Sequence, residues 1–462
     1  HLALAADRRL GLSLLDAATR EDALARVARA HATLPPGAWL VGAGQSDAAW
    51  NAPADRAALD GAAPGRPVFL ASYDAHGAWV SSAALAAAGV TRRTADPAGG
   101  RVGRDATGEP DGRLFENAVT LVKSIVPLPD AAARAAALEG VLRDASACGV
   151  TGVHDFEGVD TWERLRGLRD AGRLPLRVAF GFQLAPPGGG AVDDGIPEAA
   201  TLAALADDRL HAFALKGFMD GALGSRTAHL LAPYDDGSGT GLPTLTAQQA
   251  RAQGEAARRR GWSLALHAIG DAATRAALDV FAAWPAAERA RLRPRIEHAQ
   301  LVDPADVPRF GALGVVASMQ PQHAVADRAL ARRLWGGRAG RGGYAWGPLA
   351  AAGARLALGS DAPIEPLDPR AGIHAAVTGG DPAAHAAEKS SPPLRALTLD
   401  QAFAGYTTGA AWAARAEERV ARIAPGLLAD FVVWDDDPWT APVERLATLA
   451  VGATYVGGRR AD

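Results

Sequence analysis

The sequence predicts an α/β protein: a (β/α)8 TIM barrel with a large insertion after its first strand and part of a small β-sandwich at its C-terminal end. Three observations carry this. From residue 149 onward, short apolar runs alternate with longer helical stretches. The runs are continuously apolar, as parallel strands buried on both faces require. Several of them end in a histidine, lysine or aspartate, at the position where barrels present reactive groups.

The strands, in order, are "GVTGVHDF" (149–156), "LRVAFGF" (176–182), "FALKGFMDG" (213–221), "SLALHAIG" (263–270), "RIEHA" (295–299), "GVVASMQP" (314–321) and "RLALGSDAP" (355–363). Helical stretches at 246–260, 271–282, 304–312 and 345–353 separate them. That makes seven strands, and an eighth ending near His1 would complete a barrel. The opening "HLALAADRRLGLSLL" reads as a strand exit and loop already under way, so truncation at the N-terminus is expected. Residues 20–148, with a helix at 20–33 and the run "PVFLASYDAHGAWVSSAALAAAGV" (67–90), read as the insertion over the barrel mouth. The barrel unit is then 1–415. Residues 416–462 carry strand-like runs, such as "GLLADFVVWD", too few for an independent domain.

Composition narrows the function. A hydrophobic content of 48% and a mean hydropathy of -0.01 suit a globular chain with a large core. A formal net charge of -3 argues against a general nucleic-acid binder, and clusters such as Arg258–Arg260 read as solvated helix faces. No apolar run approaches the ~20 residues that span a bilayer. A single cysteine, Cys148, excludes an intramolecular disulfide framework and points to a reducing, cytoplasmic setting. Arginine is plentiful, whereas the lysines are only Lys123, Lys216 and Lys389. A lysine kept inside an apolar strand therefore stands out.

The strand ends carry His1, Lys216, His267, His298 and Asp361. Each alone has a bland reading: a hydrogen-bonded structural histidine, a snorkelling lysine, a turn aspartate. Together, imidazoles and a carboxylate from separate strands form a ligand set for Zn²⁺ or a similar divalent ion. Such an ion lowers the pKa of bound water to about 7, and Asp361 is placed to shuttle its proton.

Several motifs together resemble the metal-dependent amidohydrolase superfamily. They are "LKGFMDGALGSRTA" (215–228), "HAIGDAA" (267–273), "IEHAQLVDPADVPRFGALGVVASMQP" (296–321), "LGSDAPIEPLDP" (358–369), "YTTGAAWAA" (406–414) and "GLLADFVVWD" (426–435). The chain is most similar to amidohydrolase family 3, the YtcJ-like group that includes N-substituted formamide deformylases, and "DAHGAWVSSAALAAAGV" (74–90) resembles that group's insertion. The resemblance implies a His-x-His pair ending in His1, whose partner two positions earlier is absent here. It also implies a carboxylated Lys216 bridging two metals, further ligands at His267, His298 and Asp361, and a dimer in many members.

Other residues remain open between two readings. Asp220 and Arg226 line a substrate pocket or close a loop, with Arg226 suited to a substrate carboxylate or carbonyl. His76 and Trp79 cover substrate or pack the insertion's core. Glu116 reaches the metals or is a solvated carboxylate. His154 and Asp155 read as support behind the ligands. His323 donates to a developing oxyanion or is a plain loop histidine.

The expected function is hydrolysis of an amide, N-formyl or N-acyl C–N bond in a small molecule, by metal-bound hydroxide with Asp361 as general base and acid. Lactone or ester hydrolysis and a ligand-binding barrel without activity are alternatives. So is ring deamination, although known deaminases carry a glutamate three positions after the fifth-strand histidine, where this chain has Gly270.

Overall fold

The computed structural model describes residues 1–46, 50, 52–184, 202–203, 206–379 and 396–461; Lys389 lies outside them. The chain opens on a helix, Leu2–Leu10, where the sequence reading expected a strand exit and loop. Its first amides meet carboxylates that no local pattern reveals. Asp155 Oδ1 accepts from Leu2 N (2.9 Å), while Glu157 accepts from Ala3 N (3.0 Å) and Leu4 N (2.9 Å). Negative charge at a helix N-terminus satisfies orphan donors and complements the dipole.

Six strands follow: β1 (Leu12–Ser13), β2 (Leu40–Gln45), β3 (Val68–Ser72), β4 (Gly77–Val80), β5 (Gly100–Arg104) and β6 (Pro110–Glu116). They form one mixed sheet in the order β1-β2-β3-β4-β6-β5, parallel in its first half and antiparallel in its second. Two apolar cores pack on it, one around Val27, Leu59, Val68 and Trp79, the other around Leu85, Val102, Leu114 and Val122. The sequence reading ran the insertion from 20 to 148. The sheet instead starts at Leu12, and helix Ala131–Ala147 turns Leu138, Val141, Leu142 and Ala145 into the main core.

All seven expected strands of the second sheet are present: β7 (Gly152–Glu157), β8 (Arg177–Gln183), β9 (Leu210–Phe218), β10 (Ser263–Ala268), β11 (Arg295–His298), β12 (Val316–Met319) and β13 (Leu356–Leu358). They are parallel and lie in chain order, as in an α/β barrel. Residue 1 bridges the two outer strands. His1 Nδ1 is 2.9 Å from Phe156 O of β7, and the His1 backbone nitrogen donates to Ala362 O beyond β13 (2.7 Å).

Crossover helices sit close to their expected spans. Ala247–Arg259 begins with a reciprocal Thr246–Gln249 capping box, and Asp271–Ala282 buries Ala277, Leu278 and Phe281. The aromatic stack Trp162–Phe180–Phe182–Trp262 fills the layer between helices and sheet; each such ring contributes about 1.5–3 kcal/mol by leaving water. No helix among the described residues is long and apolar enough to cross a membrane.

Near the C-terminal end, β14 (Phe431–Trp434), β15 (Val451–Val456) and β16 (Arg459–Arg460) form an antiparallel sheet. Arg177 at the start of β8 grips Asp430 through two bonds of 2.5 and 2.8 Å, and Thr454 Oγ1 donates to Ser146 O (2.6 Å).

Candidate active site

The register of the parallel sheet brings its C-terminal ends level. Phe218 pairs with His267, and Ala268 with His298, so groups far apart in sequence meet at one rim. The rim opens into a cavity of 410 Å³ whose wall includes His76, Arg226, His267, His298, His323 and Asp361.

The imidazoles are closely packed. The His267 ring centroid is 4.5 Å from that of His298 and 4.9 Å from that of His76, and the His298 and His323 rings stack at 5.8 Å. His267 Nε2 lies 3.0 Å from Gly221 O, and His298 Nδ1 bonds Gln320 Oε1 (2.8 Å). Burial, aided by neighbouring cations, holds the His267 imidazole well below its ordinary pKa and that of His298 at about 4. Both are therefore neutral at pH 7, the form that can bind a metal.

Asp361 Oδ1 is 3.2 Å from His1 Nε2, and Oδ2 is 3.8 Å from His323 Nε2. Burial pushes the Asp361 carboxyl up, but the His298 and His323 imidazoles outweigh it and hold the group below the usual carboxylate range. His298 (φ 75°), Asp361 (φ 60°) and Glu116 (φ 52°) all adopt left-handed backbones. These cost of order 1–3 kcal/mol each and are enforced by the surrounding fold.

Lys216 lies behind this wall rather than on it. It is 3% exposed, with Nζ 4.0 Å from the Phe218 ring centroid. Burial lowers its pKa to about 8, against the upward pull of Glu297 and Asp361. His1 likewise stands beside the cavity wall, touching it through Asp361.

Trp79 does not belong to the site. Its ring is buried against Trp50, and its indole N–H donates to Asp55 O (2.8 Å). His76 precedes β4 and lines the cavity, whereas Trp79 lies within β4 and packs into the core of the mixed sheet. Asp220 is also off the cavity. It is buried, and it accepts from Ile269 N (3.0 Å), Gly270 N (2.8 Å) and His229 N (2.8 Å), which fixes the turn after β10 instead of binding a substrate. Arg226 does reach the cavity, but its Nε donates to Asp236 Oδ2 (2.7 Å). Asp155 supports the site indirectly by capping the helix that follows His1, and His154 Nδ1 pairs with Arg295 Nη1 (2.9 Å).

Glu116 enters from the six-stranded sheet. Its Oε2 bonds His76 Nδ1 (2.8 Å) and its Oε1 accepts from Thr227 Oγ1 (2.6 Å). Burial alone would lower the His76 pKa, but the Glu116 carboxylate lifts it to about 9. Sequence reasoning missed Gln300, Asp327 and Glu365, all on the cavity wall. "IEPLDP" and "HAVADR" resemble ordinary loop chemistry, and only the fold turns them inward.

As a metal site, the donor set has the right chemistry: neutral imidazoles, an ionised carboxylate and a buried amine of depressed pKa. Among the described residues, no three histidine, cysteine, aspartate or glutamate side chains are posed around one ion position. His267 engages Gly221 O through Nε2 and His298 engages Gln320 through Nδ1, so each ring keeps its other nitrogen for an ion. Gly270 closes another option, because a Cβ there would lie 2.0 Å from His229 O, leaving no room for a deaminase-type glutamate.

The relatives of this chain agree with that chemistry. The amidohydrolase family model matches residues 1–461. YtcJ of Bacillus subtilis (strain 168) is 31% identical over 99% of this chain and 86% of its own length. The N-substituted formamide deformylase of Arthrobacter pascens is 28% identical over 96% of this chain and 82% of its own. Among solved structures, a metal-dependent hydrolase from Pyrococcus horikoshii OT3 superposes with a TM-score of 0.70 at 25% identity, covering 96% of this chain and 85% of that one. The chain belongs to the amidohydrolase family.

Proposed function

We propose that this protein is a metal-dependent hydrolase that cleaves the C–N bond of a small amide, with N-substituted formamides the first substrates to test. The observation that carries the reading is the meeting of His267, His298 and Asp361, from three strand ends, with His323, from the helix after β12, on one cavity. The name of the Arthrobacter pascens relative supports formamides.

A divalent ion such as Zn²⁺, held by His1, His267, His298 and Asp361 with Lys216 as a carboxylated bridge if two ions bind, would supply Lewis acidity at the carbonyl and acidify the attacking water. The protein's own part is positional and protic. Asp361, ionised at neutral pH, takes a proton from the water as its oxygen bonds the carbonyl carbon. It returns that proton to the nitrogen as the C–N bond breaks, leaving a carboxylic acid and an amine. His323 Nδ1 accepts from Gln300 Nε2 (3.0 Å), so its proton sits on Nε2. That buried N–H makes no hydrogen bond, lies 3.8 Å from Asp361 Oδ2, and can donate to the oxygen gaining charge. His76, fixed by Glu116, stands opposite and bounds the acyl side.

The test is a panel of N-formyl, N-acyl and cyclic amides with zinc-reconstituted protein. Turnover of at least one class is expected, lost on chelation and restored by zinc. Asp361→Asn should lower kcat by about 10²–10⁴-fold while the protein still folds. Wild-type turnover by Asp361→Asn would refute the role.

A further inference from the structure

The cavity wall around His323 is rich in acceptors that lack donors. Glu365 is 8% exposed and lines the cavity, and no described side chain or amide bonds its carboxyl. Gln300, 4% exposed, also lines it, and its Oε1 is buried without a partner. Among the described residues the Asp327 carboxylate accepts from Tyr344 Oη (3.0 Å) alone, and Asp74 accepts from Ser72 Oγ (2.5 Å) and His76 N (3.0 Å). Among the described residues, no arginine, lysine or histidine lies in ion-pair contact with Asp74, Asp327 or Glu365, whereas Asp361 has His1 and His323. Tyr73 adds an aromatic face to the same wall.

The cationic residues of the cavity are arranged differently. Arg226 bonds Asp236 and Arg113 bonds Asp111 (2.6 Å), while Arg101 is exposed and lies over the Phe115 ring. A buried acceptor left unpaired is costly unless a ligand satisfies it. An imbalance of acceptors over donors specifies the ligand's complement: N–H groups and positive charge.

We propose that the substrate carries a cationic nitrogen, an ammonium or guanidinium, outside the scissile amide, bound by Glu365 and Asp327 with Gln300 Oε1 accepting a further N–H. Asp74 and Tyr73 complete the compartment. This rests on the amide-hydrolase reading, and it names the substrate class that reading leaves open.

Three matched formamides test it: N-formyl-1,4-diaminobutane, N-formylpentylamine and 5-formamidopentanoate, which end in an ammonium, a methyl and a carboxylate. With zinc-reconstituted full chain, the ammonium compound should exceed the neutral one in kcat/KM by about tenfold or more, since a site built for a polar group rejects analogues that lack it. The carboxylate compound should fall below both. In Glu365→Gln and Asp327→Asn the ammonium-to-neutral ratio should drop to within about threefold of one.

Calorimetric titration of the ammonium and carboxylate compounds gives a readout separate from turnover. If none of the three is hydrolysed but the ammonium compound binds more tightly, the formamide reading fails while the cationic pocket stands. Equal or reversed preference in both assays, or a preference that survives both substitutions, overturns the proposal.

Discussion

Glu365 has a folded-state pKa of about 7 against an ordinary 4.5, chiefly because burial disfavours its charge, with Asp327 and Asp361 adding to the rise and His323 opposing it. A carboxyl raised in the folded state stabilises the fold below its unfolded pKa and loses that contribution as pH rises through the folded value. Wild-type protein should therefore lose up to about 3 kcal/mol between pH 4.5 and pH 8 from this group. Glu365→Gln should remove that loss, seen as a smaller pH dependence of the urea midpoint. Asp220 is raised by burial in the same way, to about 7, although the three amides it holds pull against the rise. Asp220→Ala should cost about 1–3 kcal/mol for each amide left unpaired, and kcat should fall with it because the turn positions His267. None of this was legible beforehand. The sequence showed Asp220 near Lys216, but not that its oxygens point at the backbone of β10's exit. Glu365 lies four residues past Asp361 among prolines, where a surface turn is the ordinary reading.

Elements were more legible than side chains where the pattern was strong. The strands of the parallel sheet announced themselves because burial on both faces demands unbroken apolar runs. The outer sheet did not, since β1 has two residues and β4 four, too short for a period to register. Its strands also pair non-sequentially, with β4 beside β6. The helix at Leu2–Leu10 was misread because its cap comes from residues 155 and 157. The C-terminal strands are tied on by the buried Arg177–Asp430 pair. Removing one partner strands the other charge, so Arg177→Ala should destabilise by about 3–5 kcal/mol in chemical denaturation, with β14 to β16 released first in hydrogen exchange.

At the scale of the whole molecule, the cavity is shared between two sheets: the parallel one supplies His267, His298 and Asp361, the mixed one His76 and Glu116. Their contact runs through Gly221. A Cβ there would lie 1.9 Å from Glu116 Oε1 and 2.1 Å from Thr227 Oγ1. Glu116 and Thr227 are both buried and hydrogen-bonded, so Gly221→Ala should overpack the joint and cost about 1–3 kcal/mol. The displaced Glu116 would also release His76, and kcat/KM should fall by about tenfold or more. Wild-type kcat/KM in folded Gly221→Ala would show that Glu116 does not hold His76 for turnover.

That division has a consequence for how such enzymes diversify. The groups suited to breaking a bond are rooted in one layer, while the histidine facing them is borrowed from another that keeps its own apolar interiors. Mutations inside the borrowed layer's own apolar interiors leave the groups rooted in the parallel sheet in place, whereas changes near His76 and Glu116 are felt in turnover.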